Sequence, residues 1–239
     1  MLRTLPTTFE PTREALQRVA VHVLARRRAD LVGRFGLRPA IGGLATPAAG
    51  PDHEVLRTAA ADLIRERTGA AATTEVIDLS RSSLAELATF AEVDLEAPFD
   101  VGHDTPPVGD VASALAIDPR AALALGGWYG FGQAVIDRVL AEGGPRLSPS
   151  VAQIWPEHFD LGCDVAIGAG RANLGASPGD GGHPEPYLYV GPWGPERPGD
   201  AGYWNASFGA VVGHAELLAS PDPLAAGHDF FRRGLTLLG

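Results

Sequence analysis

His158-Phe159-Asp160-Leu161-Gly162-Cys163-Asp164-Val165 is the stretch whose reading decides the fold. Successive side chains of an extended strand alternate faces. His158, Asp160 and Asp164 therefore project to one side, and Phe159, Leu161, Cys163 and Val165 to the other. The apolar face is suited to burial; the face with an imidazole and two carboxylates is not, so something polar is expected over it. Outward from here the alternation predicts strands near 151–155, 158–167, 171–176, 186–191, 203–208 and 210–216. Gly168-Ala169-Gly170 reads as a tight hairpin turn. Such short spacings favour antiparallel neighbours, hence a meander.

Upstream the periodicity is helical. Residues 11–30 carry Leu16, Val19, Ala20, Val23 and Leu24 on one stripe, with Pro11 suited to a first turn. Ser83-Leu84-Ala85-Glu86 is a capping-box pattern opening a helix to about Ala91. Asp118-Pro119 caps and opens a helix to about Glu142, stopped by Gly143-Gly144. Gly126, Gly127, Gly130 and Gly132 inside that helix point to close backbone packing or a kink, since each costs about 1 kcal/mol against alanine. A strand is expected near Glu75–Leu79. Residues 54–67 suit either a helix, through Val55, Leu56, Ala59, Leu63 and Ile64, or a strand pair. Asp222-Pro223 opens a last helix with Leu224, Phe231 and Leu235 inward. The expected class is α+β in a single domain over residues 1–239. Its parts are a helix-rich portion 1–145, an antiparallel sheet 150–217 and a closing helix 221–238.

Composition removes several functions. The net charge is −10, and all 19 basic residues are arginine. Without lysine there is no Schiff-base attachment of pyridoxal phosphate and no Walker-type nucleotide site. Nucleic-acid binding wants a basic patch, and Arg26-Arg27-Arg28 reads as a solvated helix end. No apolar run reaches the roughly 20 residues of a membrane span. One cysteine, Cys163, excludes an internal disulfide and a Cys-rich zinc site, and reads as an inert core thiol. With no signal-peptide core at Met1–Pro6, a cytoplasmic location is expected.

Among the motifs, Gly175-Ala176-Ser177-Pro178-Gly179 matches the G-x-S-x-G pattern of a nucleophile elbow. It fails chemically, because the residue after the serine must donate a backbone N–H and here it is proline. Ser177 reads instead as the start of a turn. His158-x-Asp160 with His214 downstream has the composition of a facial metal triad, with Arg232 or Arg233 available to a co-substrate carboxylate. His158, Asp160, Asp180, His183 and Glu185 form a second candidate set for a divalent metal. Against it stands a plainer reading, in which Asp180 caps its own turn and His183 is exposed. His103, in the long loop 95–117, is a candidate acid–base residue. His22 reads as interfacial, and His53 and His228 as solvent-exposed.

All eight Trp and Tyr residues lie between Trp128 and Trp204. In strand phase, Asn173, Tyr187, Tyr189, Tyr203 and Asn205 share the polar face with His158 and Asp160. That is the pattern of an aromatic-lined small-molecule pocket, with Trp155 and Ser177 at its margin; a solvated sheet face is the alternative.

Trp155-Pro156-Glu157-His158-Phe159-Asp160, Gly175-Ala176-Ser177-Pro178-Gly179-Asp180 and Pro186-Tyr187-Leu188-Tyr189 resemble a bacterial family known as a domain of unknown function. Its pattern is W-P-x-H-F-D, F-G-x-S-P-G-D and P-Y-x-Y, with Leu174 here in place of the phenylalanine. The resemblance spans about 151–208. Gly102-His103-Asp104-Thr105-Pro106 is similar to an actinobacterial branch of the same family. The resemblance implies that His158, Asp160, Ser177, Asp180, Tyr187 and Tyr189 belong to one unit, and implies no activity. The expectation is a pocket protein in which His158, Asp160, Asp180 and His103 are the candidate catalytic residues. The alternatives are a non-haem-iron-type oxygenase at His158, Asp160 and His214, a non-catalytic binding module, and a buried structural network.

Overall fold

A computed structural model describes residues 2–102 and 105–239. His103 and Asp104 therefore lie outside the described residues. The class is α+β, with two antiparallel sheets. The chain divides into two compact units. One comprises Thr4–Gly127 with Ile154–Phe159, and the other Trp128–Gln153 and Asp160–Gly239 with the start of the chain.

In the N-terminal unit, helix α1 (Phe9–Val19) runs through a π-helical segment (Ala20–Ala25) into α2 (Arg26–Val32). The predicted stripe is buried, with Leu16 at 2 % exposure and Val19, Ala20, Val23 and Leu24 at 0 %. Burial extends beyond it to Val21 and Ala25, so the π-helical segment is enclosed all round. Each large side chain so buried contributes about 1.5–3 kcal/mol. Gly33 ends the helix in the left-handed region. One line of side chains on this helix bonds to the carbonyls of Asp94, Ala97, Pro106, Val108 and Asp110. Arg18 donates to Val108 (2.5 Å) and Asp110 (2.6 Å), His22 Nε2 lies 2.8 Å from the Pro106 oxygen, and Arg26 donates to Asp94 (2.6 Å) and Ala97. His22 is more enclosed than an interfacial residue, at 3 % exposure. Burial, then the charges of Arg26 and Arg18, hold its pKa below the ordinary value against the opposing Pro106 bond.

The first sheet follows in simple order: β1 (Arg38–Ala40), β2 (Gly43–Ala45), β3 (Val55–Ala59), β4 (Asp62–Arg67) and β5 (Thr73–Asp78). Residues 54–67 are thus a strand pair. Ala59 pairs with Asp62 across Ala60-Ala61, and Ala60 has φ +54°. The buried positions alternate: Leu56 and Thr58 on β3, Leu63 and Arg65 on β4. Glu54, 4 % exposed, accepts from Arg27 (2.7 Å), Arg65 (2.8 Å) and Arg67 (2.9 Å). Glu92 closes the cluster from outside, 2.8 Å from Arg65 and 3.1 Å from both Arg27 and Arg67. Burial opposes the Glu54 charge, yet the three guanidinium bonds outweigh it and hold the carboxyl low. Helix α3 (Leu84–Ala91) has its predicted capping box, with Ser83 and Glu86 bonded both ways. Strand β6 (Gln153–Trp155) bridges through Ile154 to Leu37, with both N–H···O distances 2.8 Å.

Helix α4 (Pro119–Gly143) explains two of its glycines by close approach. A methyl at Gly126 would overlap the backbone of Gly42-Gly43, and one at Gly132 would overlap Ala176. The C-terminal unit is the predicted meander: β7 (Asp160–Ile167), β8 (Gly170–Ser177), β9 (Tyr187–Pro192) and β10 (Ala210–Gly213), each antiparallel to the next. Then come α5 (His214–Ala219) and α6 (Pro223–Leu238). Leu161, Cys163, Val165, Leu174, Leu188 and Val190 form the core face. Burial pushes the Cys163 thiol up to about 12.

Several expectations are corrected. Residues 156–159 are a turn: the Phe159 N–H closes on the Trp155 oxygen at 2.7 Å and Phe159 has φ +56°. A left-handed backbone at Phe159 cannot continue an extended strand, so the strand starts at Asp160. Residues 203–208 are turns with one bridge, Ala206 to Gly209, and α5 replaces the second half of the strand expected over 210–216. On α6 the buried line is Gly227, Phe231 and Gly234, while Leu224 is 36 % exposed. His228 is buried against Glu142 at 2.5 Å rather than exposed.

Candidate functional site

The register of β7, β8 and β9 fixes what shares the outer face of the meander. Tyr189 stands opposite Gly175, which stands opposite Gly162; Tyr187 stands opposite Ser177. A methyl at Gly175 would overlap the Tyr189 ring, and one at Gly162 would lie 3.2 Å from its hydroxyl. The two glycines thus let the ring lie flat across the sheet and carry its hydroxyl to the Asp160 carboxylate, where it donates a hydrogen bond. Tyr187 donates to Asp180 Oδ2 at 2.5 Å. His183 packs on Tyr187 with centroids 5.0 Å apart, and Phe208 touches both tyrosines at 6.5 and 6.1 Å.

The electrostatics follow. Burial first, then the neighbouring carboxylates, raise both phenols well above their ordinary pKa, so both stay protonated and act as donors. Burial opposes the Asp180 charge. The Tyr187 hydroxyl, the His183 and Gly182 amides and the His183 charge outweigh it, and the carboxyl lies below its usual range. Asp180 Oδ1 accepts from Gly182 (2.6 Å) and His183 (2.8 Å), so it caps its turn, and His183 is exposed. Each phenol thus donates to one carboxylate oxygen, Tyr187 to Asp180 Oδ2 and Tyr189 to Asp160 Oδ2.

The structure brings together Asp160, Ser177, Asp180, Tyr187 and Tyr189. The other predicted residues are placed as follows. His158 sits exposed in the 156–159 turn, off the strand that carries Asp160. Trp155, 37 % exposed, packs on Phe35. Asn173 lies on the right face but accepts from Trp193 Nε1 at 2.8 Å. Asn205 bonds the backbone of Val211 twice, N–H to Oδ1 at 2.8 Å and O to Nδ2 at 3.0 Å, as a neighbouring strand would. His214 begins α5, buried against Trp128 with centroids 5.9 Å apart. Burial lowers its pKa against the pull of Glu185 and the Arg3 backbone. His103 is outside the described residues. The expected His158–Asp160–His214 set is thus not assembled, and Arg233 pairs with Asp200 and Arg232 with Asp229. Among the described residues no group of three or more His, Cys, Asp or Glu side chains is placed to hold a metal ion.

A cleft of about 400 Å³ escaped the sequence reading. It lies at the β10 end of the C-terminal unit, between the Tyr203–Asn205 turn, α5 and α6. Val211, its β10 wall, is the register partner of Tyr189. Ala226, Asp229, Phe230 and Arg233 reach it at helical spacing i, i+3, i+4 and i+7, a signal that sequence inspection centred on the apolar stripe passes over. The N-terminal unit has a second cavity, about 420 Å³, beside His53, Arg67 and Thr73. No described helix is long and apolar enough to cross a membrane. Comparisons with protein-family models, curated proteins and solved structures gave no match.

Proposed function

We propose that the chain is a cytoplasmic, non-catalytic small-molecule-binding protein whose ligand occupies the cleft between β10, α5 and α6. The observation that carries this reading is the cleft itself, whose lining mixes Tyr203, Phe230 and Leu217 with Asn205, Glu216 and Arg233. A concave site with apolar walls and a few convergent polar groups is the default for ligand binding. The outer face of the meander supports a binding role over catalysis, because each of its phenols donates to a carboxylate oxygen of the same face. In this reading Asp160, Ser177, Asp180, Tyr187 and Tyr189, the unit implied by the resemblance over 151–208, form the scaffold that fixes the β10 wall. The test is ligand-observed NMR of a fragment library against wild type and Ser220→Trp, which fills the cleft. Fragments that bind wild type and are lost in the variant are the expected result. An absence of binders, or binding indifferent to the tryptophan, refutes the reading.

A further inference from the structure

We infer that this cleft takes a small organic cation, a protonated amine carried on an apolar body, with Glu216 as its counter-ion. The inference rests on the binding reading above and adds the chemical class of the ligand.

Two carboxylates, Glu216 and Asp229, and one guanidinium, Arg233, border the cleft. They are not equally available. Arg233 is engaged on two sides, by an ion pair to Asp200 and by the Tyr203 ring 5.4 Å beneath its guanidinium. Asp229 is shared between Arg232 at 3.5 Å and His228 Nδ1 at 3.6 Å. Glu216 has no ion-pair partner among the described residues. The charge left over at the rim is therefore negative, and it borders Phe230 and Leu217. A cation there meets an uncompensated carboxylate and aromatic carbon together, and both attractions strengthen as water is displaced. An anion would meet two carboxylates and a guanidinium already paired. The volume, about 400 Å³, lies at the small end for ligand sites and suits a one-ring amine.

The test is a chemical-shift titration of the full chain with benzylammonium, benzyl alcohol and benzoate, which differ chiefly in charge. Benzylammonium is expected to move the amides of Glu216, Leu217, Phe230 and Arg233, and to bind about tenfold more tightly than the alcohol. Glu216→Gln removes that advantage and leaves the alcohol unchanged. Arg233→Gln, which takes away the opposing charge, tightens benzylammonium. Glu216 is exposed, so its substitution leaves the fold intact. Equal binding of cation and alcohol in the cleft overturns the cation class and leaves the binding reading standing. Preference for benzoate also overturns the cation class. If none of the three moves a cleft amide, both readings fall.

Discussion

Replacing Glu54 by glutamine should cost far more than any surface charge change in this protein. The side chain keeps its shape and loses its charge. It is 4 % exposed and accepts four hydrogen bonds from three guanidiniums: Arg27 Nε (2.7 Å) and Nη2 (3.2 Å), Arg65 Nε (2.8 Å) and Arg67 Nε (2.9 Å). Arg65 is itself 3 % exposed, so its charge is left without its buried counter-ion, with Glu92 as the remaining carboxylate. Removing one partner of a buried ion pair typically costs 3–5 kcal/mol. Because Glu92 stays and Arg67 is partly solvated, about 3 kcal/mol is expected here. That is a large share of the 5–15 kcal/mol typical of a folded domain. Urea unfolding followed by circular dichroism reads it, urea being uncharged and so not screening the pairs. Glu66→Gln is the control. Its pair with Arg57 is about one-third exposed on each side, and such pairs are worth about 1 kcal/mol or less. A loss below about 1 kcal/mol at Glu54, or equal losses at both sites, would refute the argument that burial makes this cluster consequential.

Acid should destabilise the protein in two windows. The folded pKa of Glu92 lies at about 2 against 4.5, chiefly through the Arg65 hydrogen bond, and Glu54 is also lowered, so their contribution is complete above 4.5 and drains away toward 2. His22 and His214 are likewise lowered from 6.5, so below that pH the unfolded chain takes up protons the folded chain refuses, and stability falls earlier. A flat pH–stability profile from 7 to 5 would contradict the histidine part. Gly175→Ala should cost about 1–3 kcal/mol by driving a methyl into the Tyr189 ring, and Gly175→Ala/Tyr189→Ala should recover part of that loss in a double-mutant cycle. Cys163, 4 % exposed with its thiol raised to about 12, should react with a disulfide reagent only at the rate of unfolding; fast labelling of native protein would show the core face open.

The meander was legible because one buried face writes itself as strict alternation, as at Leu161, Cys163 and Val165. The capping box at Ser83 and Glu86 and the capped start of α4 were legible because those signals are local. Residues 54–67 stayed open for a physical reason. Ala60-Ala61 makes a two-residue hairpin without Gly, Asn or Pro, and half the strands' inward positions are Thr58 and Arg65 rather than apolar residues. Glu54 and its arginines look in sequence like solvated charge, since their burial depends on pairing between distant segments. His158 was misplaced because alternation continues formally through Phe159, whose left-handed backbone only the folded turn reveals. The outer-face residues Asp160, Tyr187 and Tyr189 were found together by strand phase. The cleft was not, because it is defined by the ends of α5 and α6.

The π-helical segment Ala20–Ala25 lies between Arg18 and Arg26. At 3.6 residues per turn, eight residues would swing Arg26 roughly 80° around the axis from Arg18. The wider i→i+5 winding turns less per residue and brings both nearer to one line with His22. The segment therefore acts as a phase correction. Deleting a single alanine from it would leave a regular helix of almost the same composition. Seven α-helical steps from Arg18 would bring Arg26 back to within roughly 20° of the same line, so the segment takes in one extra residue while keeping Arg26 on the carbonyls of Asp94 and Ala97.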